Sequence, residues 1–278
     1  MKAREQFRFR HDAPLRDDDA GAKPLREQAD GSGGDKDDVK QRERELTTKL
    51  IEQIAECQEM LYAQRRHKVL LVLQGLDTSG KDGTIKALFS QINPLGLRAV
   101  AFRAPNDDER AHDYLWRVHR HVPAVGEIAI FNRSHYEDVL VPLVEGAIDG
   151  DEARRRYQHI RDFERMLAET GTLVVKIFLH LSRDEQRERL QARIDDPHKQ
   201  WKFDPADLDK RKQWDDYQRA YEQAFSATDT DDAPWYIIPA DSKTHRNLMV
   251  ATLLLEIVQG LKLAFPEPDR KISKLKIE

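Results

Sequence analysis

The chain has 278 residues, 39% hydrophobic and 35% charged, with a formal net charge of −4. That length suits one large α/β domain with a sizeable core. No apolar run approaches bilayer length, and the N-terminus lacks the apolar core of a secretory signal. The expectation is a cytoplasmic protein with no membrane partner. The mildly acidic balance argues against broad nucleic-acid binding, while allowing a local basic groove that holds a polyanion.

Residues 1–40 are rich in Asp, Gly, Arg and Lys, and are expected to form a flexible polar tail. A single P-loop kinase domain is expected over 41–265, followed by a polar tail at 266–278. Over residues 38–65, Leu46, Leu50, Ile54, Cys57 and Leu61 recur at helical spacing, predicting an amphipathic helix with Cys57 as buried filler. Lys68-Val-Leu-Leu-Val-Leu73 reads as a strand buried on both faces of a parallel sheet. Further strands are predicted at 98–102, 127–131, 173–179 and 235–238, with helices between them. Alternation of this kind implies a doubly wound, mostly five-stranded parallel sheet in a three-layer fold, with ligands at the carboxyl ends of the strands.

The first strand runs into Gly75-Leu-Asp-Thr-Ser-Gly80-Lys81-Asp82-Gly83-Thr84, a P-loop pattern in its proper strand-to-helix context. Glycines turn backbone N–H groups inward, the helix start adds positive potential, and Lys81 sets a full charge against phosphates. Gly80, Asp82, Gly83 and Thr84 are the candidate phosphate contacts, with Lys86 one turn further on. Asp82 stands where Ser or Thr ordinarily ligates magnesium, so the metal is assigned to Asp77. An acceptor phosphate is already largely ionised at neutral pH and needs little help from a general base.

The strand at 127–131 leads into Asn132-Arg133-Ser134-His135-Tyr136-Glu137-Asp138, where a Walker B acid would stand; Asn132 supplies only a neutral oxygen there. Arg133 is suited to bridging donor and acceptor phosphates, and Ser134 and Glu137 are further candidates. A basic, aromatic-interleaved segment from Arg110 to His121 offers Arg117 for nucleotide contact, although much of it equally suits a helix packed on the sheet. The His119 and His121 spacing excludes a helical zinc site. A helical lid is expected at about 182–225, as two helices broken by Pro197 and Pro205 around a Trp-containing loop. Arg187, Arg189 and Arg193 lie along it, and Arg193 is chosen to meet the transferring group. A last apolar helix is predicted at 244–265.

Taken together, GLDTSGKDGTI, DYLWRVHRHVP, IFNRSHYEDVLV and DDPHKQWKF resemble the second family of polyphosphate kinases, from about Leu46 to Phe265. The resemblance implies a fold similar to thymidylate kinase, with phosphoryl transfer between inorganic polyphosphate and AMP, ADP, ATP or guanine nucleotides. It also implies magnesium, reversibility and a homo-oligomer. Asp77, Lys81, Asn132, Arg133 and Arg193 match the family's catalytic positions. NRSHYED and Glu137 look like the branch that phosphorylates both mono- and diphosphates. A polymeric donor needs a basic channel, for which Lys68, Lys86, Arg103, Arg154, Arg161 and Arg165 are candidates. Two rivals remain, an ATP-dependent nucleoside monophosphate kinase and a non-catalytic phosphate-binding module.

Overall fold

A computed structural model describes residues 2–28, 35–269, 272, 275 and 277. Five strands, β1 (Lys68–Gln74), β2 (Leu97–Ala101), β3 (Ile128–Asn132), β4 (Thr172–His180) and β5 (Trp235–Pro239), form one sheet in the order β2-β3-β1-β4-β5. Every pairing is parallel, with Val69 facing Ile128 on one side and Leu173 on the other. Each of the five strands falls within a residue of its expected position.

Strand side chains alternate between two cores. Val69, Leu71, Leu73, Ile130 and Ile177 point to a layer made by the helices Lys36–Gln64 and Lys243–Gln259. Leu70, Val72, Phe131, Val174 and Phe178 point to the opposite layer, made by Glu137–Val144, Gly150–Glu169 and Trp214–Thr228. This is the expected three-layer arrangement. β2 differs from the expected fully buried strand: it closes one end of the sheet and is only partly covered. Among the described residues, no helix is long and apolar enough to cross a membrane.

Three further expectations are corrected. Residues 2–28 are not a loose tail. Ala3, Phe7, Phe9 and Ala20 are buried, Phe9 N–H donates to Trp235 O at 2.9 Å, and Ile237 N–H donates to Phe7 O at 2.8 Å, so the segment covers the open edge of β5. A few apolar anchors and a strand edge in need of partners outweigh the polar composition. Residues 29–34 of that expected tail lie outside the described residues.

The helix Lys36–Gln64 also buries a different stripe, Glu43, Thr47, Ile51, Ile54, Gln58 and Leu61, leaving Leu46 48% exposed and Cys57 half-buried. Glu43 enters the core because Arg26, Thr244 and His245 satisfy its carboxylate, which a count of apolar positions cannot foresee.

The region expected as a two-helix lid holds Arg183–Asp195, the 3₁₀ turn Gln200–Lys202, Ala206–Lys212 and Trp214–Thr228. The last of these buries Tyr221, Ala224 and Phe225 in the core, so it is scaffold rather than lid.

Candidate active site

The loops that follow β1 and β3 lie side by side because these strands are neighbours, at the carboxyl end of the sheet where the strand order switches direction. Two glycines permit the P-loop's path. Gly75 has φ +151°, and a Cβ there would sit 2.7 Å from Ser79 Oγ and 2.9 Å from Leu179 O. Gly80 has φ +100°, and a Cβ there would strike the Arg246 guanidinium.

Lys81 folds back on the loop, donating to Gly75 O at 2.6 Å and Leu76 O at 3.3 Å. Burial first, then the nearby Arg133 charge, lower its ammonium to about 8. The loop itself is clamped from behind. Arg189, buried, donates to Thr78 O (3.0 Å), Ser79 O (3.2 Å), Ala240 O (2.7 Å) and Asp241 O (2.8 Å), while Arg246 donates to Ser79 O at 3.2 Å.

Asp77 faces the cleft. Its carboxylate pairs with Arg133 and lies 3.5 Å from Lys210 Nζ. Burial alone would raise this acid, but Arg133, Lys81 and Lys210 overcome it and hold the carboxyl at about 2. Arg133, at φ +61°, also reaches Glu137 at 3.4 Å, and Glu137 accepts from Gln74 Nε2 at 3.1 Å. The guanidinium stays charged: burial opposes this, but Glu137 and Asp77 raise it above its ordinary value. Across the cleft, Asp207 of the helix Ala206–Lys212 is raised to about 6 by burial and by the Asp77 charge, so it takes up a proton more readily than an ordinary acid. Trp214, Tyr217 and Tyr221 complete the wall.

A sequence profile of Polyphosphate kinase 2 (PPK2) matches residues 35–265. The chain belongs to the polyphosphate kinase 2 family. It is 50% identical over 239 residues to an AMP/ADP-polyphosphate phosphotransferase of Meiothermus ruber, covering 86% of this chain and 90% of the relative. It is 44% identical over 252 residues to an ADP-polyphosphate phosphotransferase of Rhodopseudomonas palustris, covering 86% and 87%. A crystal structure of polyphosphate kinase 2 from Arthrobacter aurescens TC1 superposes with a TM-score of 0.87 at 41% identity, covering 97% of this chain and 93% of that one.

Of the residues expected at the site of this polyphosphate kinase 2 chain, Asp77, Lys81, Arg133 and Glu137 converge. Asn132 meets the P-loop by donating to Asp82 Oδ1 at 2.5 Å, which accounts for an acid at that loop position: it has a neutral amide as partner. Gly80, Gly83 and Thr84 lie in the loop and the first turn of its helix, with the Thr84 hydroxyl turned to Gly80 O at 3.1 Å. Lys86 and Arg103 are exposed.

Others stand elsewhere. Arg117 is buried against Asp138 (3.0 Å) and Arg103 O (2.8 Å), so it braces the loop carrying Arg103 instead of touching a ligand. Ser134 is fully buried, its hydroxyl accepting Tyr136 N–H at 3.3 Å. Arg193 stops short of Asp77, donating to Lys202 O at 3.1 Å and lying 3.7 Å from Asp207. Lys68 begins β1 and so sits about 20 Å from the loop at the strand's other end. Arg154 and Arg165 pair with acids, and Arg161 with Gln158, all along their own helix. Arg154 and Arg165 therefore already have acidic partners.

Sequence reasoning missed Asp207, Lys210, Gln186 and Arg246. Each meets the P-loop from more than 100 residues away, and each reads in sequence as an ordinary helix-surface residue.

Proposed function

We propose that this chain transfers the terminal phosphoryl group of inorganic polyphosphate to AMP and ADP, with guanine nucleotides as alternative acceptors, and that the transfer runs in both directions. The observation that carries the proposal is the meeting of Asp77 and Arg133 in one cleft at the carboxyl ends of β1 and β3, with Lys81 buried beside them on the loop carbonyls. The name of the Meiothermus ruber relative supports a dual acceptor, as does Glu137, which sits beside Arg133 where an acceptor phosphate would arrive.

In this reading the loop amides cradle one phosphate group, and Lys81 leaves the carbonyls of Gly75 and Leu76 to pair with it. Arg133 then spans donor and acceptor oxygens. Its guanidinium supplies two parallel donors, which lowers the repulsion between the two anions and aligns them. One phosphoanhydride bond breaks as another forms, so the reaction is close to balanced and reversible. The acceptor is a phosphate oxygen already ionised at neutral pH, so no side chain need remove a proton.

The donor set at Asp77 fits magnesium. An ionised carboxylate on the rim of a phosphate cradle is what that ion takes, together with phosphate oxygens and water. Asp77 would hold it, and the bound ion would neutralise charge on the transferring group. The cleft encloses about 30 Å³, whereas small-molecule sites run to several hundred. The segment from Asp196 to Lys212 therefore acts as a lid that lifts to admit substrates and returns Lys210 and Asp207 toward the reacting groups, while Arg189 keeps the helix Arg183–Asp195 seated on the loop.

The test is to incubate the purified chain with magnesium and long-chain polyphosphate, supplying AMP or ADP in separate reactions, and to resolve the nucleotides by chromatography. ADP from AMP and ATP from ADP are expected, and Asp77→Asn should abolish both. Product from AMP with ATP as donor, polyphosphate being inert, would instead identify an ATP-dependent monophosphate kinase. No product from either donor would leave a phosphate-binding module.

A further inference from the structure

A fully buried polar cluster lies directly beneath the Arg133 turn. Lys176 of β4 donates to Glu164 Oε2 at 2.6 Å, to Thr228 O at 2.8 Å and to Tyr136 Oη at 3.0 Å. Tyr136 Oη is also 2.9 Å from Glu164 Oε1 and 2.8 Å from Thr228 Oγ1, and His135 Nε2 is 3.2 Å from Glu164 Oε1. Trp235 Nε1 closes the group on Thr228 at 3.0 Å, its ring packed edge-on to Tyr136 at 4.9 Å. None of Lys176, Glu164, Tyr136, His135 or Thr228 exceeds 1% exposure.

A buried Lys–Glu pair is a poor source of stability, because desolvating both charges offsets their attraction, and an apolar pair of similar volume does as well or better. Such a pair fixes geometry: once made, its remaining hydrogen-bonding groups accept few arrangements. Here two of the groups it fixes are His135 and Tyr136, which follow Arg133 by two and three residues.

Arg133 itself sits at φ +61°, a conformation strained for a non-glycine residue, which persists only where the surroundings over-determine it. On its N-terminal side, Arg133 N–H is held by Leu73 O at 3.0 Å. On its C-terminal side the chain is held by the cluster, which draws on four separate elements: the helix Gly150–Glu169, β4, the end of the helix Trp214–Thr228 and, through Trp235, β5.

We propose that Tyr136, His135, Glu164 and Lys176 form a positioning clamp for phosphoryl transfer. By locking the turn after β3, the clamp holds Arg133 in its left-handed conformation and so aims its guanidinium, together with Glu137, at the P-loop. The clamp touches no substrate and acts through Arg133, so it rests on the role assigned to that residue above.

Its signature is energetic coupling without loss of fold. Tyr136→Phe removes one oxygen and keeps the ring. It should lower kcat roughly tenfold, within the range that sub-ångström misplacement of a reacting group produces, with the KM for AMP changed less than about twofold. In an Arg133→Lys background, where the bidentate group is already lost, the same change should cost less than about twofold, because the two residues act as one unit. A second variant, Lys176→Met with Glu164→Leu, should fold cooperatively, as judged by melting temperature, and still show the kcat loss.

Full turnover by Tyr136→Phe, additive losses in the cycle, or a folded, fully active Lys176→Met/Glu164→Leu chain would each overturn the clamp. Native turnover by Arg133→Lys would overturn the assignment of Arg133 and the clamp with it. An inactive Arg133→Lys beside a fully active Tyr136→Phe would overturn the clamp alone.

Discussion

Arg189 is where the P-loop is most exposed to a distant perturbation. Its two terminal nitrogens donate to four carbonyls, Thr78 and Ser79 of the loop and Ala240 and Asp241 beyond β5, and its Nε pairs with Glu185 at 2.7 Å. Replacing it with alanine removes all of these donors; only Ser79 O keeps a second one, from Arg246. At about 1 kcal/mol net for each buried bond lost, the change should cost about 3–4 kcal/mol, a large share of the roughly 5–15 kcal/mol that holds a typical domain together. A chain of this size loses roughly 2–4 °C of melting temperature per kcal/mol, so the expected drop is on the order of 10 °C. Arg189→Lys should lie between the two, since one ammonium cannot span four carbonyls in a fixed fork. Thermal unfolding read by circular dichroism, with kcat measured well below the melting temperature, checks both effects. A melting point within about 2 °C of the native chain for Arg189→Ala would refute the claim that this guanidinium holds the loop.

Three further outcomes are expected. Asp207 is raised to about 6 from 3.8 in the closed cleft, so the closed form binds an extra proton between those values. Its preference over an open form with an ordinary Asp207 is therefore complete below pH 3.8 and fades as pH rises through 6. From pH 5 to 7 the closed form should weaken roughly tenfold, about 1.4 kcal/mol. Hydrogen exchange of the Ala206–Lys212 amides, corrected for intrinsic rates and run with chelator and without nucleotide, should show this in the native chain and a flat profile in Asp207→Asn; equal profiles would refute it. Gly80→Ala forces a Cβ into a left-handed position against Arg246 and should cost roughly 1–2 kcal/mol in backbone strain and on the order of 100-fold in kcat. Native turnover by that variant would show that the loop tolerates another path. Light scattering should return a multiple of the 32.3 kDa chain mass, and a single-chain mass across the working concentration range would overturn the oligomer expectation.

The strands were legible because each is short, apolar and bounded by turn residues, and a parallel sheet buried on both faces demands that pattern. The P-loop was legible for a related reason: a phosphate cradle needs its glycines and lysine consecutive in the chain. The N-terminal segment was misread because its composition is polar on average, while its docking depends on Phe7 and Phe9 meeting the bare edge of β5. The buried stripe of the helix Lys36–Gln64 was misread because Glu43 is in it, and only its partners from two other elements make that burial affordable. Charge and spacing point to Arg117 and Arg193 as ligand contacts, but they say only that a cation is present and not which acid reaches it first.

Local chemistry written consecutively along the chain thus determined the sheet, the phosphate cradle, the motif after β3 and the family. Those features depend on the order of residues within a few turns, and short-range sterics and periodicity act at that range. Tertiary structure decided which charges meet: Asp77 with Arg133 and Lys210, Asp207 beside Asp77, Arg189 and Arg246 behind the loop, and Lys176 under the Arg133 turn. In a chain that is 35% charged, many pairings satisfy composition equally well. The sheet order and helix packing select among them by bringing a few within 4 Å and leaving the rest in water.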